Sequence, residues 1–231
     1  MKENSSEFQG RPRVVATVHS PASLREALKL ERGSVDFVEL RVDHFASDPR
    51  PLLRSVGRIA CPLLVTVRHP AEGGAARLSL GEREALYSQF LPFASVVDIE
   101  LRSIKALASM AGRVRSIGAS LLLSSHHFKS TPSPAKLAEI ASQAADAGAD
   151  VFKLAAMARR PGDIGSLLGL LAPGRRVPVS VMAMGPLGRV SRLLFAQCGS
   201  VLNYGYLHRP NASGQWEARV LGERLAELAQ V

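Results

Sequence analysis

Aromatic residues are scarce in this chain, 5% of 231 residues, although 46% of the sequence is apolar. A core with so few rings must be assembled from Val, Leu, Ile and Ala, which suits central parallel strands covered on both faces. Cysteine is almost absent. Cys61 and Cys198 stand alone in apolar surroundings, without metal-type spacing, and read as buried thiols of a reducing compartment. No stretch approaches the roughly 20 unbroken apolar residues of a membrane span, which excludes a helical membrane protein. The polar opening, 1–13, has no apolar segment of the secretory kind. A cytoplasmic protein is expected, with 1–12 as a disordered tail and 13–231 as one folded domain.

Acidic residues are also few, 20 against 29 basic ones, for a formal net charge of +9. The excess is nearly all arginine and is spread along the chain. No basic cluster alternates with aromatics and no nucleic-acid-binding signature appears, so a solvated basic surface is the simpler reading. Lysine is rare, and five of the six lysines fall in the tail, on helix-like faces or in a loop. Lys153 alone interrupts an apolar run, DVFKLA at 150–155. An amine there must reach a carboxylate, snorkel, or be held neutral at a cost. A neutral lysine near pH 7 requires its pKa to fall about 3 units, an expense that enzymes accept to form Schiff bases.

What the chain does have is a repeat of short apolar runs and helix-like segments. The runs fall at 13–18, 35–42, 62–67, 95–99, 118–124, 150–155, 177–182 and 199–203. Helical spacing predicts helices over 21–32, 81–92, 102–113, 134–147, 161–172, 188–197 and 217–229, with a weaker one at 50–58. Pro134 and Pro161 suit first helical turns; Gly33, Gly148 and Gly174 suit helix ends. Eight such units predict a single α/β domain, a (β/α)8 TIM barrel with parallel strands and a C-terminal helix. A doubly wound open sheet is the alternative, but no Gly-rich phosphate loop follows the first strand.

A barrel gathers its chemistry where strands run into the following loops. Those positions are polar here. Glu39, Arg41 and Asp43 alternate on strand two, so all three are expected on one side. Strand three runs on to Arg68, with Glu72-Gly73-Gly74 after it. Asp98 and Glu100 lie on strand four, His126 ends strand five, Lys153 lies on strand six and Met184 ends strand seven. The steps from Arg41 through Arg68, Asp98 and His126 to Lys153 are 27 to 30 residues, one unit each. An amine, a histidine and a carboxylate are what carbinolamine formation and proton transfer require. The arginines suggest an anionic, oxygen-rich ligand, and their charge should also disfavour an ammonium at Lys153. The residues 208–215 read as a mobile lid.

These pieces, in this order, resemble the type I 3-dehydroquinate dehydratases of the shikimate pathway. The resemblance rests on VELRVD at 38–43, Thr66-Val67-Arg68 with Glu72-Gly73-Gly74, and Ser125-His126 followed by Phe128 and Thr131-Pro132. Lys153, Met184 through Gly188 to Ser191-Arg192, and Gly214-Gln215 complete it. It implies a (β/α)8 homodimer that dehydrates 3-dehydroquinate through an imine, a hydro-lyase needing no metal or cofactor and no nucleic-acid or membrane partner. By matched position Lys153 forms the imine, His126 is the acid/base and Glu72 orients His126. Arg192 clamps the substrate carboxylate. Glu39, Arg41 and Arg68 meet ring hydroxyls, with Gln215 closing over them. Met184 and Tyr204 are apolar walls, and Asp98 stabilises the positive charge of the imine. Thr17 and Asn211 are further candidate contacts and Asp43 a support. Two positions depart from the pattern: His127 stands where Asp or Asn is expected, and Asn211 where Ser is common. Strand alternation lets only one of His126 and His127 face the mouth, and the family spacing selects His126.

Overall fold

Eight apolar runs become eight parallel strands in the computed structural model, which describes Phe8 and residues 10–229. They are β1 (Arg13–Val18), β2 (Phe37–Arg41), β3 (Leu63–Thr66), β4 (Ala94–Glu100), β5 (Ser120–His127), β6 (Val151–Met157), β7 (Val179–Met184) and β8 (Leu202–Tyr206). The helices are α1 (Pro21–Ala27), α2 (Arg50–Leu53), α3 (Leu80–Phe90), α4 (Ala108–Ser116), α5 (Pro134–Asp146), α6 (Pro161–Leu168), α7 (Gly188–Gln197) and α8 (Ala218–Leu228).

The ladder runs β7-β6-β5-β4-β3-β2-β1-β8, so β7 and β8 meet at a seam. There the Val201 amide donates to the Val179 carbonyl at 3.1 Å. Two serine hydroxyls do the rest: Ser180 donates to the Leu202 carbonyl at 2.6 Å, and Ser200 accepts the Val181 amide at 3.0 Å. The barrel is thereby nearly closed.

Strand alternation sorts side chains into two cores. Val14, Val38, Val65, Val97, Leu121 and Leu154 pack outward under the helices. Val15, Phe37, Leu64, Val96, Leu122, Val151 and Leu202 fill the barrel's interior, the lowest layer of its axis. Phe8 is fully buried beneath them and stacks on Phe37 at 6.2 Å between centroids. Of the segment expected to be a disordered tail, residues 1–7 and 9 lie outside the described residues.

Helix starts follow their caps. Ser20 and Ser79 close capping boxes on α1 and α3, and Ser133 accepts the Lys136 amide ahead of Pro134 on α5. Gly33, Gly148 and Gly174 take positive φ, as helix-end glycines do.

Several expected bounds are corrected. β2 stops at Arg41, so Asp43 is not the third residue of an alternating strand but lies on a 3₁₀ turn, Val42–Phe45. β7 and β8 begin two and three residues later than expected, and β5 runs on to His127. α4 begins at Ala108 rather than 102, because a 3₁₀ turn (Leu101–Ser103) precedes it. Helix periodicity cannot separate a tight 3₁₀ turn from an α-turn over three residues. Cys61 is buried as expected, but Cys198 is exposed, at the C-cap of α7 where the chain turns outward.

Candidate active site

A cavity of about 220 Å³ opens where the strands end. Its lining includes Thr17, Glu39, Arg41, Arg68, Glu72, His126, Lys153, Met184, Arg192, Tyr204, Asn211 and Gln215. Of the sequence candidates, only Asp43 and Asp98 stand behind that surface. A larger cavity, about 540 Å³, lies at the opposite end against the 170–179 segment, and none of the candidate residues lines it.

Lys153 is 4% exposed and projects inward from the middle of β6. Its Nζ lies 3.1 Å from Asp98 Oδ2 and 3.6 Å from Glu39 Oε1, and 3.9 Å above the Tyr204 ring. The surroundings expected from sequence were repulsive. The structure differs, because two carboxylates face the amine and Arg68 is itself occupied by acids. Arg68 forks onto Asp98, Nη2 to Oδ2 at 2.6 Å and Nη1 to Oδ1 at 3.1 Å, and reaches Glu100 Oε1 at 3.2 Å. Ser124 accepts from Arg68 and donates to Asp98, both at 2.6 Å. Burial alone would raise the Asp98 carboxyl, but Arg68 and Lys153 outweigh it and hold it below the usual carboxylate range.

Glu39 accepts hydroxyl hydrogen bonds from Thr17 at 3.1 Å and Thr66 at 3.0 Å. Thr17 is the register partner of Glu39 across β1–β2, Thr66 lies one inward position further along β3, and all three face inward. Beyond the end of β2, Asp43 turns back and takes Arg41 in a fork, at 3.0 and 2.8 Å. The same carboxylate accepts the Arg68 and Ala75 amides, so it ties Arg41 to the loop after β3.

Glu72 belongs to that loop, on the 3₁₀ turn Pro70–Glu72. Its Oε2 accepts the His126 amide at 3.0 Å and lies 2.9 Å from His126 Nδ1. An oxygen already accepting one N–H orients Nδ1 as a second donor, which leaves the Nε2 lone pair for the cavity. Burial, then the charges of Arg68 and Lys153, push the His126 imidazole well below its ordinary pKa, favouring the neutral base. Burial raises Glu72 to about 7. The Phe128 ring lies nearly parallel to that of His126, 6.3 Å away. His127 bonds Ser125 at 3.1 Å, on the strand face opposite to His126. Of the two, His126 lines the cavity and His127 does not.

Gly74 has a steric reason to lack a side chain. A Cβ there would sit 2.3 Å from the Arg68 carbonyl oxygen. That close return of the loop sets Glu72 against His126.

The last loop is folded over α7. Ser213 accepts the Gly185 amide at 2.9 Å, and Gln215 Oε1 accepts the Asn211 and Ala212 amides. Gly214 (φ +77°) crosses Gly188 so closely that a Cβ on it would lie 2.7 Å from Gly188 Cα. Arg192 is buried beneath this crossing. It donates to the Gly214 carbonyl at 2.9 Å and the Tyr204 carbonyl at 3.2 Å. No carboxylate among the described residues pairs with it, and burial alone lowers its pKa to about 10. An uncompensated buried guanidinium at a cavity wall is a receptor for an anion.

Sequence reasoning missed Ser124, Arg83 and Tyr87 and left Glu100 without a role. Glu100 carried a signal, as the inward neighbour of Asp98 two residues along β4. Arg83 and Tyr87 carried none, for helix spacing alone does not say that they reach the barrel. Among the described residues no group of three or more His, Cys, Asp or Glu is placed to hold a metal ion.

Comparison with known proteins agrees with this geometry. Residues 14–230 match the family described as type I 3-dehydroquinase. A 3-dehydroquinate dehydratase of Methanocella arvoryzae is 37% identical over 218 residues, covering 94% of this chain and 97% of that one. The catabolic 3-dehydroquinate dehydratase of Acinetobacter baylyi is 28% identical, over 92% of this chain and 83% of its own length. The crystal structure of 3-dehydroquinate dehydratase from Geobacillus kaustophilus superposes with a TM-score of 0.86 at 29% identity, covering 95% and 92% of the two chains. Matched along nearly its whole length by family, relatives and fold, the chain belongs to the type I 3-dehydroquinases and is an enzyme, a hydro-lyase.

Proposed function

We propose that this enzyme converts 3-dehydroquinate to 3-dehydroshikimate and water through an imine on Lys153. The observation that carries the reading is one cavity holding the Lys153 amine, the free Nε2 side of His126 and an unpaired Arg192. Arg192 takes the substrate carboxylate, replacing water with a charge-assisted pair. Glu39, Arg41, Arg68 and Gln215 meet the ring hydroxyls, with Thr17 and Asn211 beside them and Met184 and Tyr204 as apolar walls.

The Lys153 nitrogen attacks the ketone carbon, and the carbinolamine loses water to give a protonated imine. His126 Nε2 then removes a proton from the adjacent carbon, and the electron pair flows to the imine nitrogen. As it returns, the hydroxyl on the next carbon leaves with the proton that His126 gives back. Hydrolysis of the imine restores Lys153 and consumes the first water, so the substrate loses one water overall. Asp98 and Glu39, which already face Nζ, stabilise the cationic imine. Glu72 holds His126 with Nε2 toward the substrate.

Borohydride reduction of the enzyme mixed with 3-dehydroquinate tests this directly. A mass increment confined to the peptide containing Lys153, absent from Lys153→Ala, is the expected result. Turnover without any trapped adduct would remove the imine. The enzyme is further proposed to act as a cytoplasmic homodimer, as the family resemblance implies. Sedimentation at assay concentration checks the dimer, and a fully active monomer would dismiss it.

A further inference from the structure

We propose that Arg83, on the outer helix α3, is a positioning residue for the reaction at Lys153, acting through Glu100 on the Arg68–Asp98 fork. The inference rests on the imine reading above and adds a residue outside the cavity to it.

Arg83 is 2% exposed, in the seam between α3 and the barrel, and arginine is almost never buried so fully unless it is paired. Its Nη2 donates to Glu100 Oε2 at 2.5 Å. The other oxygen of Glu100 accepts Arg68 Nη1 at 3.2 Å and the His69 amide at 2.7 Å. Glu100 therefore lies between two guanidinium groups, one from the outer helix and one from the site. Arg68 passes the link to Asp98, and Asp98 to Lys153. The buried chain alternates in sign from Arg83 to the amine.

A purely structural grip does not need this charge. Arg83 also donates to the Val67 carbonyl at 3.1 and 2.9 Å and to Ser103 at 3.1 Å, bonds that any neutral donor can make. Tyr87, one turn further along α3, already holds the Val67 and Asp98 carbonyls. Of the groups that Arg83 bonds, Glu100 is the charged one. With the guanidinium charge, three cations (Arg83, Arg68, Lys153) balance three anions (Glu100, Asp98, Glu39). Without it, Glu100 draws Arg68 away from Asp98, and Asp98 is left to hold the Lys153 ammonium more firmly. The groups facing that amine are Asp98 from β4, Glu39 from β2 and the Tyr204 ring from β8. Arg68 after β3, a cation, and His126 on β5, held neutral, lie beside them.

The test compares pH profiles of kcat and of borohydride trapping at Lys153 for the parent, Arg83→Met, Arg83→Lys, Glu100→Gln and the Arg83→Met/Glu100→Gln pair. Arg83→Met is expected to displace both profiles to higher pH by roughly half a unit to one unit. Arg83→Lys keeps the charge and the parent profile, although it loses the fork. Glu100→Gln moves the profiles to lower pH, and the double variant coincides with Glu100→Gln, because Arg83 acts only through that carboxylate. Should Arg83→Met not fold, Glu100→Gln and the double variant carry the test, since neither leaves Glu100 buried as an unpaired anion. Coinciding profiles are expected, and a further displacement in the double variant would overturn the relay through Glu100. Superimposable profiles for folded Arg83→Met and parent would overturn the proposal, as would equal displacement by Arg83→Lys and Arg83→Met. A parent that turns over without trapping at Lys153 overturns the imine reading instead, an outcome distinguishable from either.

Discussion

At the scale of single residues, the site is a set of buried charges satisfied by one another, with one exception. Lys153, Arg68 and Arg41 each have carboxylate partners, whereas Arg192 has only carbonyls. Glu72 shows how such burial is read as stability. Its folded pKa, about 7, lies above the ordinary 4.5 because burial disfavours the carboxylate. A group raised in this way contributes fully below the unfolded value, and that contribution is lost as pH rises through about 7. Glu72→Gln never charges, so it should be more stable than the parent at pH 8, by about 1–3 kcal/mol, and no more stable at pH 4. Its kcat should nevertheless fall, because the carboxylate that orients His126 is gone. Denaturant melts at the two pH values check the sign; a gain of equal size at both would contradict it. The residue types at these positions were legible in the sequence, because a lysine in an apolar strand and a polar residue at each strand end are anomalies of pattern. Their pairings were not. The expected repulsion at Lys153 became attraction once Asp98 and Glu100 were seen to occupy Arg68.

At the scale of elements, strands and loops divide the work. Lys153, Asp98 and Glu39 lie within strands, where register fixes depth: Glu39 pairs with Thr17 across β1–β2, Thr66 with Asp98 across β3–β4 and Ser124 with Lys153 across β5–β6. Glu72 depends instead on a short loop whose return past Arg68 requires glycine. Gly74→Ala puts a methyl group 2.3 Å from a backbone oxygen, and the backbone must yield. A loss of about 2–4 kcal/mol is expected, with a fall in kcat exceeding any change in KM, since His126 loses its orienting partner before the carboxylate clamp is touched. Steady-state kinetics beside a thermal melt measure both, and an unchanged kcat would show that the loop does not set the histidine. The alternating apolar runs announced the strands, and proline and serine announced the helix starts. The 3₁₀ turns were hidden, so Asp43 was expected on a strand. It reaches Arg41 all the same, by folding back rather than by alternation.

At the scale of the molecule, the eight units form a nearly closed ring whose weakest join is the β7–β8 seam. Hydroxyls replace part of the ladder there, and Ser180 and Ser200 are fully buried. Removing one strands a buried carbonyl or amide, so Ser180→Ala should cost about 1–3 kcal/mol. Amide exchange should quicken at β7 and β8 before the other strands; uniform protection around the ring would refute a weak seam. The barrel also gives the arginine excess a partial account. All helices of such a barrel point the same way, and their C-termini gather at the end away from the site. Arg25 on α1 and Arg113 and Arg115 on α4 lie in last turns, where the helix dipole favours cations.

The sequence by itself determined the class of architecture, through the eightfold alternation, and the chemistry on offer, through the residue types at strand ends. Both follow from local periodicity, which the backbone geometry of strands and helices imposes directly on the chain. Alternation also placed His126 and His127 on opposite faces, while the choice of His126 came from the family resemblance. Only the tertiary structure decided which charges neutralise which, because an ion pair depends on distance across the barrel, where Arg68 and Asp98, 30 residues apart, and Asp98 and Lys153, 55 apart, meet. It also decided that Arg83 on an outer helix pairs with Glu100, that Cys198 is exposed, and that Arg192, at the cavity wall, has no carboxylate partner among the described residues.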